Sequence, residues 1–226
     1  MSNTEQTLDQ HPTRLFPLVR HLSRWLTPWL LRTPLTPNQI TLTSVALSLA
    51  GAWLFVYGEY ALGIGGALCL VGGYVLDNCD GEVARRKNLC SRYGALLDTA
   101  GDWLTHTAFF LALGIGTVHS DGRMLWLWLG VLAAAGTTVN SFITLRYEAA
   151  STSATETQTL ERPGDQAGVL DWILFALREL SRADFCFIVL ALALVDATWL
   201  LLPAAAIGAQ VYWLTEFRNG ANQYHV

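Results

Sequence analysis

Asp77-Asn-Cys-Asp80-Gly81-Glu-Val-Ala84-Arg85, followed nine residues later by Gly94-Ala-Leu-Leu-Asp98-Thr-Ala-Gly-Asp102, decides how the chain is read. On a helix, Asp77, Asp80, Gly81 and Ala84 stand at i, i+3, i+4 and i+7 and share one face; Asp98 and Asp102, at i and i+4, share another. The short connector between them, with Arg86 and Lys87, makes the two helices antiparallel neighbours, so the acidic faces are expected to meet at one end. Two carboxylates about 6 Å apart repel by roughly 3 kcal/mol at an effective dielectric of 20. Four of them are strained when bare and relieved by divalent cations. Oxygen ligands without Cys or His favour Mg²⁺, Mn²⁺ or Ca²⁺ over zinc. Gly81 and Ala84 leave the same face open to a flat or bulky ligand, and Arg85 is placed to neutralise a phosphate. Helix-end charges paired with Arg85, Arg86 and Lys87 account for one or two acids, not for four.

Around this stretch the chain is apolar. Hydrophobic residues make up 52% and charged residues 14%, against about 25% charged in soluble proteins. A net charge of -4 argues against a nucleic-acid partner. The four cysteines have no paired metal spacing and read as free core thiols. With roughly 20 apolar residues needed per membrane crossing, the expected fold is an all-α integral membrane protein of six transmembrane helices. The spans fall near 39–57, from 61 into Asp77, 97–118, 124–145, 183–197 and 199–217. Residues 14–32 form an amphipathic surface helix, with Trp25 and Trp29 towards the bilayer and Arg20 and Arg24 towards the head groups. Residues 1–13 are a polar tail without a cleavable signal, 147–168 a polar loop, 169–180 a second surface helix and 218–226 a C-terminal tail. Six spans place thirteen of the fourteen Lys and Arg on one side, leaving Arg123 on the other. That side, with both termini and the acidic site, is expected to be cytoplasmic. Tyr57, Tyr60, Trp126, Trp128 and Trp199 then form an aromatic belt at the opposite interface. Gly63, Gly65, Gly66, Gly72 and Gly73 suit close helix packing.

The fixed positions also carry a resemblance. The pattern D-x2-D-G-x2-A-R-x8-G-x3-D-x3-D, here Asp77, Asp80, Gly81, Ala84, Arg85, Gly94, Asp98 and Asp102, is similar to that of the CDP-alcohol phosphotransferases. The likeness extends to the six-span layout, the surface helix and the Pro37-Asn38-Gln39-Ile40-Thr41 entry to the first span. It implies an enzyme of phospholipid synthesis that transfers a phospho-alcohol group from a CDP-linked donor to an acceptor hydroxyl and releases CMP. It implies two divalent cations, Mg²⁺ or Mn²⁺, on Asp77, Asp80, Asp98 and Asp102, with Asp102 as general base. It further implies CMP near Gly81, Ala84 and Gly94, its phosphates near Asn38, Thr41, Asp80 and Arg85, and a homodimer in the lipid bilayer.

Other polar residues read more simply. His106 is expected to be a hydrogen-bonded packing residue, Glu82 an i, i+4 partner of Arg86, and Thr137, Thr138 and Asn140 bonds to neighbouring helices. Arg146 and Arg182 close cytoplasmic span ends, where they either grip an acceptor phosphate or anchor the membrane surface. CDP-diacylglycerol with a phosphorylated polyol acceptor, such as glycerol phosphate or an inositol phosphate, is the preferred pairing. The Asp80–Arg85 wording is closer to the inositol-phosphate branch. A CDP-headgroup donor with diacylglycerol as acceptor is the alternative. The rival from another class is a cation transporter, whose acids belong near the midplane rather than at span ends.

Overall fold

Helix boundaries follow local chemistry. The computed structural model describes residues 18–150 and 184–210, the side chains of 144 and 146–150 apart, and among these there is no strand. Seven helices appear: α1 (Val19–Leu31), α2 (Pro37–Phe55), α3 (Tyr60–Arg86), α4 (Arg92–Asp121), α5 (Leu125–Ala150), α6 (Phe185–Leu194) and α7 (Thr198–Gln210). Thr36 opens α2 with a capping box: its hydroxyl accepts from Gln39 N, and the Gln39 side chain accepts from Thr36 N at 3.0 Å. Ser91 caps α4, accepting from Gly94 N at 3.0 Å. Helix α3 stops in a Schellman turn, with Asn88 in the left-handed region (φ 54), Asn88 N on Arg85 O and Leu89 N on Ala84 O.

Helices α3 and α4 enclose the acidic motif at the end where α2 begins. Helix α2 runs antiparallel to α3 and parallel to α4. The backbones approach so closely that a Cβ on Gly66 would lie 2.7 Å from Gly51 O, and one on Gly101 would lie 2.6 Å from a Val45 methyl. Gly58 turns the chain from α2 to α3 at φ 67 and sits directly on the backbone of Gly116 in α4. Helix α5 packs antiparallel to α4, with Gly130 on Phe110 and Gly114. Phe185 of α6 enters beside Phe109 at 5.7 Å, and Phe55 of α2 meets Phe109 at 5.2 Å. This aromatic centre joins α2, α4 and α6.

Helices α2–α7 overlap the segments expected as spans as far as the described residues reach, with shifted ends. Among the described residues, two segments are long and apolar enough to cross a membrane by length and composition: Tyr60–Arg86 and Leu125–Ile143. Helix α5 continues to Ala150, past the expected end at 145, because Glu148-Ala-Ala150 are good helix formers. Helix α6 is shorter than expected, closing before Asp196, which has a φ of 56. The 1–13 tail, the 169–180 surface helix and the chain beyond 210 lie outside the described residues, as does 151–168 of the expected polar loop.

Helix α1 is held to the bundle through polar groups. Val19, Ser23 and Thr27, at i, i+4 and i+8, are buried against α3, while Leu26 and Leu30 pack against the core. Trp25 (80% exposed) and Trp29 (63%) project away from the protein, as do Arg20 and Arg24. The expected Glu82–Arg86 pair is replaced by a different contact. Both Glu82 carboxylate oxygens accept hydroxyl bonds from α1, from Ser23 at 3.0 Å and Thr27 at 2.7 Å. A half-buried carboxylate needs fixed donors, and two hydroxyls one turn apart supply them better than an exposed arginine. Asp184, fully buried at the start of α6, accepts from Leu18 N at 2.7 Å and Val19 N at 2.9 Å and so caps α1 from 165 residues away.

Candidate active site

Asp77 and Asp80 leave the last turns of α3 on the side opposite Glu82, and Asp98 leaves the second turn of α4. One carboxylate oxygen from each lies within 4.8 Å of the other two. Asp80 is 6% exposed, whereas Asp77 and Asp98 are half-buried. Thr41, from the first turns of α2, donates its hydroxyl to Asp80 Oδ2 at 2.5 Å and fixes that carboxylate. Three carboxylates at this spacing repel one another when ionised, a divalent cation would relieve that repulsion, and an all-oxygen donor set fits a hard ion. Asp102, one turn further along α4, is exposed and stands outside the tight trio, although its charge acts on Asp77 and Asp80. Four converging acids were expected. Asp77, Asp80 and Asp98 form the tight cluster, and Asp102 stands beside it, one helical turn along α4 from Asp98.

The remaining motif residues surround this centre. A Cβ on Gly81 would lie 3.3 Å from Arg85 Nη1, so the guanidinium covers the bare backbone there. A Cβ on Gly94 would lie 3.3 Å from Asn38 Oδ1, which brings the starts of α2 and α4 together. Ala84 is half-buried on the same helix. His106 sits between helices: Nδ1 bonds Asp102 O at 2.8 Å and Nε2 bonds the Tyr74 hydroxyl at 2.7 Å. A carbonyl can only accept, so Nδ1 carries a proton, and in the neutral imidazole Nε2 accepts from the Tyr74 hydroxyl. His106 therefore packs, as expected, through hydrogen bonds. Trp103 Nε1 donates to Thr138 Oγ1 across α4 and α5 at 3.0 Å, whereas Thr137 bonds its own helix at Ala133 O. Arg146 lies in the last turns of α5, just beyond the apolar segment Leu125–Ile143, and Arg182 falls outside the described residues.

Three connections went unread in the sequence because they join segments far apart: Glu82 to α1, Asp184 to the start of α1, and Lys87 to the α1–α2 linker. Lys87 Nζ donates to Thr33 O at 3.0 Å and Leu35 O at 3.1 Å. At the opposite end of the bundle a crevice of about 280 Å³, lined by residues that include Phe55, Tyr60, Trp126 and Trp199, contains no motif residue. Tyr57, Tyr60, Trp128 and Trp199 of the expected aromatic belt are exposed at that same end.

The chain has relatives among known proteins. The profile described as CDP-alcohol phosphatidyltransferase matches residues 34–210. A phosphatidylinositol phosphate synthase of Mycobacterium marinum is 31% identical, over 81% of this chain and 75% of its own. A bifunctional IPC transferase and DIPP synthase of Rubrobacter xylanophilus is 37% identical over 54% of this chain, which spans only 26% of that relative's length. Among solved structures, the Mycobacterium tuberculosis phosphatidylinositol phosphate synthase with CDP-DAG bound superposes with a TM-score of 0.56 at 26% identity. The match covers 87% of this chain and 92% of that one. The same synthase in complex with manganese and citrate gives 0.55 at 27% identity, covering 85% and 87%. With its full motif assembled at one end of the bundle and the profile matched from Pro34 to Gln210, the chain is an enzyme of the CDP-alcohol phosphatidyltransferase family.

Proposed function

We propose that the protein transfers the phosphatidyl group of CDP-diacylglycerol to a hydroxyl of a phosphorylated polyol, of the inositol phosphate class, and releases CMP. The convergence of Asp77, Asp80 and Asp98 within 4.8 Å, beside Arg85 over Gly81 and Asn38 against Gly94, carries this reading. The donor class is supported by the solved relative with CDP-DAG bound, and the acceptor class by relatives named phosphatidylinositol phosphate synthase.

In this reading Asp77, Asp80, Asp98 and Asp102 hold two divalent cations, Mg²⁺ or Mn²⁺. When bound, these would polarise the pyrophosphate and neutralise the CMP leaving group. Thr41 keeps Asp80 oriented. Gly81, Ala84 and Gly94 leave space for the nucleotide, while Asn38 and Arg85 bind its phosphates. Asp102, at the exposed rim, takes the proton of the acceptor hydroxyl as its oxygen attacks the β-phosphorus in line. The bond from that phosphorus to the CMP oxygen breaks as the new ester forms. Arg146 and Arg182 are assigned to the acceptor phosphate. Helices α2–α7 cross the membrane with the site and both termini cytoplasmic, α1 lies on the surface, and the enzyme is a homodimer.

The test is CMP release from CDP-diacylglycerol, with inositol phosphate, glycerol phosphate or no acceptor. Release should require inositol phosphate, stop in EDTA and return with Mg²⁺ or Mn²⁺. Full activity in excess chelator would sink the metal site. Release only from a CDP-headgroup donor with diacylglycerol would favour the reverse arrangement.

A further inference from the structure

The connector between the two halves of the motif is basic, and its cations read alike in the sequence. In the structure Lys87 differs from Arg85. Its ammonium points back to the α1–α2 linker, donating to the backbone carbonyls of Thr33 and Leu35 at 3.0 and 3.1 Å. An ammonium has three donors and accepts nothing, so two of its three bonds are already committed to the protein. The linker's other bonds are local, Thr33 Oγ1 to Leu30 O and Leu35 N to Thr33 Oγ1. Lys87 ties it to α3.

Both ends of this tie are rigid. On one side Lys87 is the last residue before the Schellman turn at Asn88, and its own N–H bonds Val83 O at 2.9 Å. On the other, Leu35 immediately precedes Thr36, whose capping box sets the first turn of α2. That turn carries Asn38, packed on Gly94, and leads to Thr41, bonded to Asp80. We propose that Lys87 is a positioning residue for the nucleotide donor: it touches no substrate, but holds the linker so that Asn38 stays against Gly94. This rests on the reading above that Asn38 and Gly94 lie at the donor.

The experiment uses the full-length enzyme in detergent, with CMP release measured against CDP-diacylglycerol at saturating acceptor. Lys87→Met should raise the donor KM about tenfold, leaving kcat within about twofold and acceptor KM unmoved. Lys87→Arg should recover most of the loss, because a guanidinium can also donate to two carbonyls. The deciding comparison is a double-mutant cycle with Asn38→Ala. If Lys87 acts through Asn38, the double variant should be no weaker towards donor than Asn38→Ala alone. Losses that multiply would mean that Lys87 binds phosphate itself, and would overturn the inference, as would an unchanged donor KM in Lys87→Met. If Lys87→Met does not fold, Lys87→Gln, which keeps an amide donor, enters the same cycle. Wild-type turnover separates the two levels: no CMP from CDP-diacylglycerol refutes the donor reading and this inference with it. Turnover with an unaffected Lys87→Met refutes this inference alone.

Discussion

Replacing Glu82 by alanine should detach α1 from the catalytic helix. The side chain's two oxygens accept from Ser23 at 3.0 Å and Thr27 at 2.7 Å. A hydrogen bond to a charged group contributes about 1.5–3 kcal/mol, while polar bonds between membrane helices average about 0.6 kcal/mol. The carboxylate is only half-buried and accepts from two hydroxyls, which places each bond between those values. Ser23 also has a fallback in Arg20 O at 3.3 Å, so its loss is the smaller. Together these give a destabilisation of about 2–4 kcal/mol for Glu82→Ala, roughly 5–15 °C in Tm for a chain of this size. Glu82→Gln keeps a carbonyl acceptor and should lose about half as much. The assay is thermal unfolding in detergent, followed by circular dichroism, for Glu82→Ala, Thr27→Ala and the double variant. The double variant should lose less than the sum of the singles, by about 1–2 kcal/mol. A Glu82→Ala Tm within about 1 °C of wild type, or strictly additive losses, would refute the view that this carboxylate holds α1.

Asp102→Asn should lower turnover by roughly 10²–10⁴ with little change in donor binding, and Asp80→Asn should weaken both metal and donor binding; equal losses of donor affinity would remove the case for a separate base. Arg182→Ala should raise the acceptor KM roughly 10–100-fold and leave the donor KM in place, as steady-state kinetics against both substrates would record; an unchanged acceptor KM would remove Arg182 from the acceptor site.

The site was legible in the sequence because its geometry is local. Asp77, Asp80, Gly81 and Ala84 share a face by helical spacing, and a short connector brings Asp98 within reach. The helical class was legible for a related reason: long apolar runs leave few other ways to satisfy the backbone. What escaped is non-local or a matter of degree. Nothing in Asp80-Gly81-Glu82 shows that Glu82 turns away from the site towards Ser23 and Thr27, since Arg86 at i+4 offers a partner on its own helix. Asp98 and Asp102 have identical spacing credentials, yet only Asp98 joins the trio, because their depth depends on how α4 sits against α2 and α3. The end of α5 was misplaced for an ordinary reason: polarity ended the apolar run before helix propensity ended the helix.

The cap that Asp184 places on α1 also imposes an order on assembly. Leu18 and Val19 emerge from the ribosome early, but the carboxylate that accepts their N–H groups follows 165 residues later. The α3–α4 hairpin, with the whole acidic motif in it, can form as soon as its own short connector is made. Glu82 can recruit Ser23 and Thr27 at that stage, across a loop of about 55–59 residues. Closing the last loop, back to Asp184, waits for α6, and the entropy of closure rises only slowly with length. Until then the first turn of α1 has unsatisfied donors that water or lipid head groups must occupy. A nascent chain truncated before residue 184 would therefore carry an assembled motif and an α1 held through Glu82 but uncapped at its first turn, and residue 184 is where the start of the described fold is joined to its last helices.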